Sequence, residues 1–301
     1  MAKIVIAGGS GFLGHALSKY LISKGDSLTL LTRKIDSGNP VRSVEWDGQT
    51  QGEWVATLEE ADAVINLAGA PITLPWNETN RQLIINSRVK STLAIGLAIC
   101  NAKNPPATWI NASATGYYGD RGDEILPESA SFGTGFLAEV CKQWEDSVDA
   151  HPTPKTRKIK LRTGVVLGLN GGALAPLVGL TKSFLGGPAG DGKQYVPWIH
   201  LQDHVRLVRW CALGDVSGPI NACAPNPVTN AQLMAELRAT LGRPMAPPAP
   251  AFALKLLSKI GGPDAHVLLD STRAIPQAAL QGGFDFVYPT LGPALTSLLK
   301  G

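Results

Sequence analysis

The stretch KIVIAGGSGFLGHALSKYLISKG, residues 3–25, decides the fold. Lys3 to Gly8 is an apolar, β-branched run of strand character. After it, Leu13, Ala16, Leu17, Tyr20 and Leu21 recur at i, i+3, i+4, i+7 and i+8, one face of a helix, and Gly25 supplies the stop. Between strand and helix stand Gly8, Gly11 and Gly14. With 33 glycines in 301 residues, this spacing arises by chance about 0.4 times in a chain of this length, so it carries weight only in context. The chain holds its own control. Gly116, Gly119 and Gly122 repeat the spacing but run into DEILPES, which has no helical stripe.

The first turn has the context the second lacks. Gly8 permits a tight turn, Gly11 lets the backbone approach a pyrophosphate, and Gly14 lets helix and strand pack closely. The free amides at the helix start, over Ser10, Phe12, Leu13 and Gly14, then attract phosphate charge. Dinucleotide binding is the expectation. Its flavour is read at the end of the next strand, Ser27 to Thr32. An acid there would accept from a ribose 2′-hydroxyl, but Arg33 and Lys34 follow, with no acid before Asp36. A guanidinium forks onto a 2′-phosphate, so NADP(H) is favoured over NAD(H).

Outward from this unit, strands predicted at Val41–Trp46, Asp62–Gly69, Ala107–Ser113 and Ile159–Gly168 alternate with helices at about 78–101 and 135–150. Such alternation builds βαβ units and a parallel sheet covered on both faces. Residues 1–168 read as the dinucleotide-binding domain, with segments near 196–225 returning to it. Residues 169–301 read mainly as a smaller lobe that caps the substrate. Within them a helix is predicted near 172–185, strands at Val196–His200, Pro219–Cys223 and Phe284–Tyr288, and helices from Asp203 and from Thr229 or Asn230.

Bulk properties exclude several classes. A net charge of +3 is far from the dense basic clustering of a nucleic-acid binder. No apolar run approaches the roughly 18 residues of a membrane span. Cys100, Cys141, Cys211 and Cys223 are widely spaced, which suits reduced thiols in a cytoplasmic protein. No His, Cys and Asp cluster has metal-ligand spacing.

Four segments together resemble one known family. AGGSGFLG (7–14), NLAGAP (66–71), ASATGYYGD (112–120) and GDGKQYVPWIHLQDHV (190–205) are similar to extended short-chain dehydrogenases/reductases. The combination is closest to an atypical epimerase-like subgroup, the SDR39U1-type nucleoside-diphosphate-sugar epimerase homologues. The tail at about 247–299 resembles that subgroup's C-terminal region. The resemblance implies an α/β, Rossmann-type doubly wound sheet and cofactor contacts from Leu67, Ala68 and Gly69.

The resemblance also shows what is missing. Extended members carry a Tyr-x-x-x-Lys pair on the helix after the fifth strand. Here that helix reads FLAEVCKQWE, which puts Leu137 at the Tyr position and Cys141 at the Lys position. Leucine moves no proton and a thiol supplies no fixed cation. Ser113 stands where the family places a hydroxyl beside the substrate oxygen. Thr115, Tyr117 and Tyr118 share its loop, and a phenol of lowered pKa there could act as acid. Cys141, as a thiolate, is another candidate. Arg88 occupies a position where a helix Asn is usual and offers a charge near the cofactor. Arg162, at the carboxyl edge of the sheet, suits a substrate phosphate or carboxylate. His200 and Asp203 match a largely structural segment. The expectation is an NADP(H)-binding oxidoreductase or epimerase-type enzyme acting on an unidentified carbonyl or hydroxyl substrate, possibly a nucleotide sugar. The alternative is a non-catalytic NADPH-binding sensor or scaffold.

Overall fold

A computed structural model describes the chain apart from residues 36, 37, 39, 260–263 and 301. Asp36, and residues 260–263 of the predicted C-terminal region, therefore lie outside the described residues. The first half runs β1 (Lys3–Ala7), α1 (Phe12–Ser23), β2 (Ser27–Thr32), β3 (Arg42–Glu45), β4 (Ala63–Asn66), α2 (Glu78–Asn101), β5 (Thr108–Ala114), β6 (Ile125–Leu126), α3 (Phe136–Asp149) and β7 (Arg157–Thr163). Next come β8 (Val165–Leu167), α4 (Leu174–Lys182), β9 (Tyr195–Val196), β10 (Trp198–His200), α5 (Leu201–Leu213), β11 (Gly218–Ala222), β12 (Val228–Thr229) and α6 (Asn230–Thr240). The chain ends with α7 (Ala251–Lys259), α8 (His266–Leu269), β13 (Arg273–Ala274), α9 (Gln277–Gln281) and α10 (Leu291–Lys300).

The central sheet has seven strands in the order β11-β7-β5-β4-β1-β2-β3, and every pairing in it is parallel. The order reverses at β1 and β4, the switch point outside which ligands of open parallel sheets bind. Ile4, Ile6, Ile65, Ile110 and Leu161 pack toward α1 and α5. Val5, Val64 and Trp109 pack toward α2 on the other face. Helix α2 is long and apolar enough to cross a membrane by length and composition, although no unbroken apolar run marks it in the sequence. Here its Ala94, Ile95, Ala98 and Ile99 are spent on the core.

Three sequence expectations are corrected, the first being the predicted strand Val196–His200, which divides at Pro197 into β9, paired with β12, and β10, paired with β8. The predicted strand Ile159–Gly168 is two strands. Gly164 ends the first, because a Cβ there would lie 2.2 Å from Pro197 O. Val165 N instead donates to Pro197 O, and β8 leaves the sheet to pair with β10. The alternating segment Phe284–Tyr288 is not a strand. Phe284 and Phe286 enter the core, while the Val287 and Tyr288 amides donate to the Asp203 carboxylate at 2.9 and 2.8 Å. A carboxylate has replaced the neighbouring strand. Helix α6 starts at Thr229, whose side chain forms a capping box with Gln232.

Candidate functional site

The glycine turn is built as its physics requires. Gly8 has φ +78°, and a Cβ on it would sit 2.9 Å from Ala68 N. A Cβ on Gly14 would sit 2.6 Å from Gly8 O and from Gly9 Cα. At Gly11 the nearest atom to such a Cβ is Gly8 O at 3.7 Å, so this face is open. Gly11 caps α1 without a side-chain bond, and the first helical bond runs from His15 N to Gly11 O. The amides of Phe12, Leu13 and Gly14 thus precede the helical ladder, and Gly11 beside them is exposed. These positions fit a diphosphate. Ser10 is exposed beside them. The ring of Phe12 lies against the loop after β8, within 2.8 Å of where Cβ atoms on Gly168 and Gly171 would stand.

The second wall of the turn is the loop Leu67-Ala68-Gly69 after β4. Asn66 fixes it from beneath: its Oδ1 accepts from Ala68 N at 3.1 Å, and its Nδ2 donates to Asn111 Oδ1 at 2.9 Å. Thr92 and Trp144 complete this buried network. Arg88 lies against Gly69 and donates to Ala70 O and Ile84 O, at 3.0 and 2.9 Å. Its guanidinium sits 5.0 Å from the Trp144 ring centroid. Arg33 and Lys34 are exposed where β2 ends. Neither side chain has a hydrogen-bond or ion-pair partner among the described residues.

Ser113 is the last residue but one of β5, with only 4% of its surface open. Its Oγ donates to Glu145 Oε1 at 2.7 Å. Arg162 grips the same carboxylate through Nε and Nη2, at 2.8 Å each. Leu137 and Cys141 sit beside Gly116, so α3 does present those residues to the loop after β5. Glu145, one turn further along that helix face, was missed by sequence reasoning. The available signal was a carboxylate continuing the i, i+4 row of Leu137 and Cys141.

The geometry corrects three candidates. Arg162 is not free to hold a substrate anion: besides Glu145 it donates to Tyr118 Oη and Glu128 O, and it lies 3.5 Å over the Tyr117 ring. Burial opposes its charge, but Glu145 more than offsets this and raises its pKa. Tyr118 is not a phenol of lowered pKa. It is fully buried, donates to Asn221 Oδ1 at 2.8 Å, and burial pushes it up to about 12. Cys141 is not a thiolate, since burial, with Glu145 adding, pushes its thiol up to about 12. Tyr117 is half-buried, edge-on to Tyr118, and its hydroxyl has no partner among the described residues. Thr115 is buried in the single turn that follows β5. His200 stacks on Tyr288 at 4.0 Å, and Asp203 anchors the C-terminal segment, so both serve the structure.

A seven-stranded parallel sheet with an open glycine turn at its switch point defines a Rossmann-type NAD(P)-binding protein of the epimerase and short-chain dehydrogenase class. A profile of the NAD dependent epimerase/dehydratase family matches residues 4–139, and a domain of unknown function, DUF1731, matches residues 249–298. The chain is 34% identical to the chloroplastic SDR39U1 homologue of Arabidopsis thaliana, over 99% of this chain and 86% of that one. It superposes on the crystal structure of human SDR39U1 (isoform 2) with NADPH at a TM-score of 0.89, with 32% identity and 99% of each chain covered. MoeE5 in complex with UDP-glucuronic acid and NAD shares the fold, at a TM-score of 0.77 and 19% identity over 99% of this chain and 98% of that one. The protein belongs to the SDR39U1 epimerase family.

Proposed function

We propose that this protein is an NADP(H)-dependent oxidoreductase or epimerase-type enzyme acting at a carbon that bears oxygen on a small molecule, with nucleotide sugars the first class to test. The observation that carries this reading is the set of amides at Phe12, Leu13 and Gly14 ahead of the first helical bond, beside the exposed Gly11 and two strands from the Ser113 hydroxyl along the same sheet edge. A nicotinamide cofactor, when bound, supplies hydride exchange. The chain would hold its diphosphate on the α1 amides and its 2′-phosphate on Arg33 and Lys34. The Leu67–Gly69 loop and Arg88 would flank it. Ser113 would position the substrate oxygen, and Tyr117, with its free hydroxyl, is the remaining candidate acid. The similarity to a protein solved with NADPH supports the cofactor, and the fold match to MoeE5 motivates the nucleotide sugar. The reduced thiols suit a reducing compartment such as the cytoplasm.

A second reading, an NADPH-binding sensor or scaffold, is favoured by one observation: Leu137 and Cys141 stand where the Tyr and Lys pair would be. The two separate on one experiment. NADPH affinity is measured by fluorescence titration, and hydride transfer is followed in both directions: NADPH oxidation across keto sugars and simple ketones, and NADP+ reduction across the corresponding alcohols. Turnover that disappears in Ser113→Ala supports the enzyme. Micromolar affinity without turnover on any compound supports the sensor. Absence of binding defeats both.

A further inference from the structure

We propose that Glu145, clamped by Arg162, reverses the hydrogen-bond polarity of Ser113, so that the site receives a ligand hydroxyl rather than a carbonyl at this position. This deepens the reading above and rests on it for the location of the ligand. A serine hydroxyl has one proton and two lone pairs, while an ionised carboxylate only accepts. Glu145 Oε1 lies 2.7 Å from Ser113 Oγ, so the single Ser113 proton is directed at Glu145. Arg162 holds that carboxylate in place: its two parallel bonds take both oxygens, and both side chains are about 95% buried. Bidentate pairs of this kind are the strong, geometrically fixed ones. Among the described residues nothing else bonds to Ser113 Oγ. What it offers a ligand is therefore lone pairs, and the complementary group is an O–H or N–H donor. A carbonyl oxygen would meet Ser113 acceptor to acceptor, unless the serine abandoned Glu145 and left a buried carboxylate oxygen with one partner fewer.

The arrangement gives a role to the glutamate and arginine buried between α3 and β7, beside a site where the family resemblance would put a lysine and this chain has Cys141. In the arrangement that the family resemblance implies, a phenol would stand beside the serine. Here the serine is tied from behind, so the ligand must bring the proton.

The test uses the full chain saturated with NADPH. Infrared difference spectra of protein carrying 13C-labelled glutamate, wild type minus Ser113→Ala, isolate the carboxylate that loses a hydrogen bond. The expected result is a shift in an ionised carboxylate stretch, with no protonated carboxyl band. A protonated band, or spectra that do not differ, overturns the proposal. Cyclohexanol and cyclohexanone serve as binding probes of equal ring size, followed by ligand-observed NMR. Cyclohexanol is expected to bind at least about tenfold more tightly, and the preference is expected to vanish in Ser113→Ala. Equal binding, or a preference for the ketone, overturns the proposal. NADPH titration of the same samples separates the two claims: failure to bind NADPH sinks the functional reading, while the infrared result still decides the polarity of Ser113.

Discussion

Arg162 of β7 meets Glu145 of α3 in two parallel bonds of 2.8 Å each, with 5% and 6% of the two side chains exposed. This ion pair fastens the helix that follows β5 onto the sheet edge where Ser113 stands. Removing one member leaves the other as a buried, uncompensated charge. Arg162→Leu is expected to lose about 3–5 kcal/mol of stability, read as a lower urea midpoint. A loss below about 1 kcal/mol would show that water reaches the carboxylate.

Gly14 faces a different constraint. Any side chain there points at Gly8 O and Gly9 Cα, both backbone, so no rotamer relieves the clash. Gly14→Val is expected to cost at least about 1–3 kcal/mol by overpacking and to abolish NADPH binding, because α1 must lift off the turn. Gly11→Ala meets open space and should spare folding while weakening the cofactor. Thermal denaturation paired with NADPH titration checks both.

Arg33 governs cofactor choice if its exposed guanidinium meets the 2′-phosphate. Arg33→Asp puts a like charge there, so NADPH affinity should fall about tenfold or more, some 1.4 kcal/mol, while NADH changes little. Isothermal titration with both dinucleotides decides, and equal weakening would remove Arg33 from the site.

His204 sets a pH dependence. It is fully buried on α5, and burial pushes it down to about 4 from an ordinary value of 6.5. Between those values the unfolded chain binds a proton that the folded chain refuses, so stability rises with pH across this window. The contribution is complete above pH 6.5 and is lost as pH falls toward 4, by roughly 3 kcal/mol. His204→Leu should flatten that slope relative to wild type, whatever constant offset the new packing adds. Parallel slopes in urea denaturation from pH 7 to 4 would contradict this.

The sheet was legible because β1, β2, β4 and β5 are short apolar runs bounded by turn residues, and because the glycine spacing sat between a strand and a striped helix. What escaped was decided by tertiary partners. Phe284–Tyr288 alternates like a strand, yet its amides found a carboxylate, and periodicity does not tell the two acceptors apart. Gly164 splits an apparently continuous strand because of Pro197, a residue 33 positions away in the sequence. In the site, the position of Ser113 at the end of the fifth strand was legible from the apolar run before it, and its role is what the family resemblance implies. Arg162 and Tyr118 were assigned to the ligand because a sequence does not reveal that Glu145 and Asn221 already occupy them. Buried charges conceal their partners from linear reading, and Glu145 itself lay in the row of residues beside Leu137 and Cys141.

The ring of Phe12 has a mechanical corollary. One residue both offers an amide at the opening of α1 and plugs the gap left by Gly168, Gly171 and Gly172, just ahead of α4. The dinucleotide turn and the loop that leads into α4 therefore share one side chain. Whatever steadies the first steadies the second, and amide hydrogen exchange along residues 168–182 should slow in step with NADPH occupancy although no atom of that segment needs to touch the nucleotide.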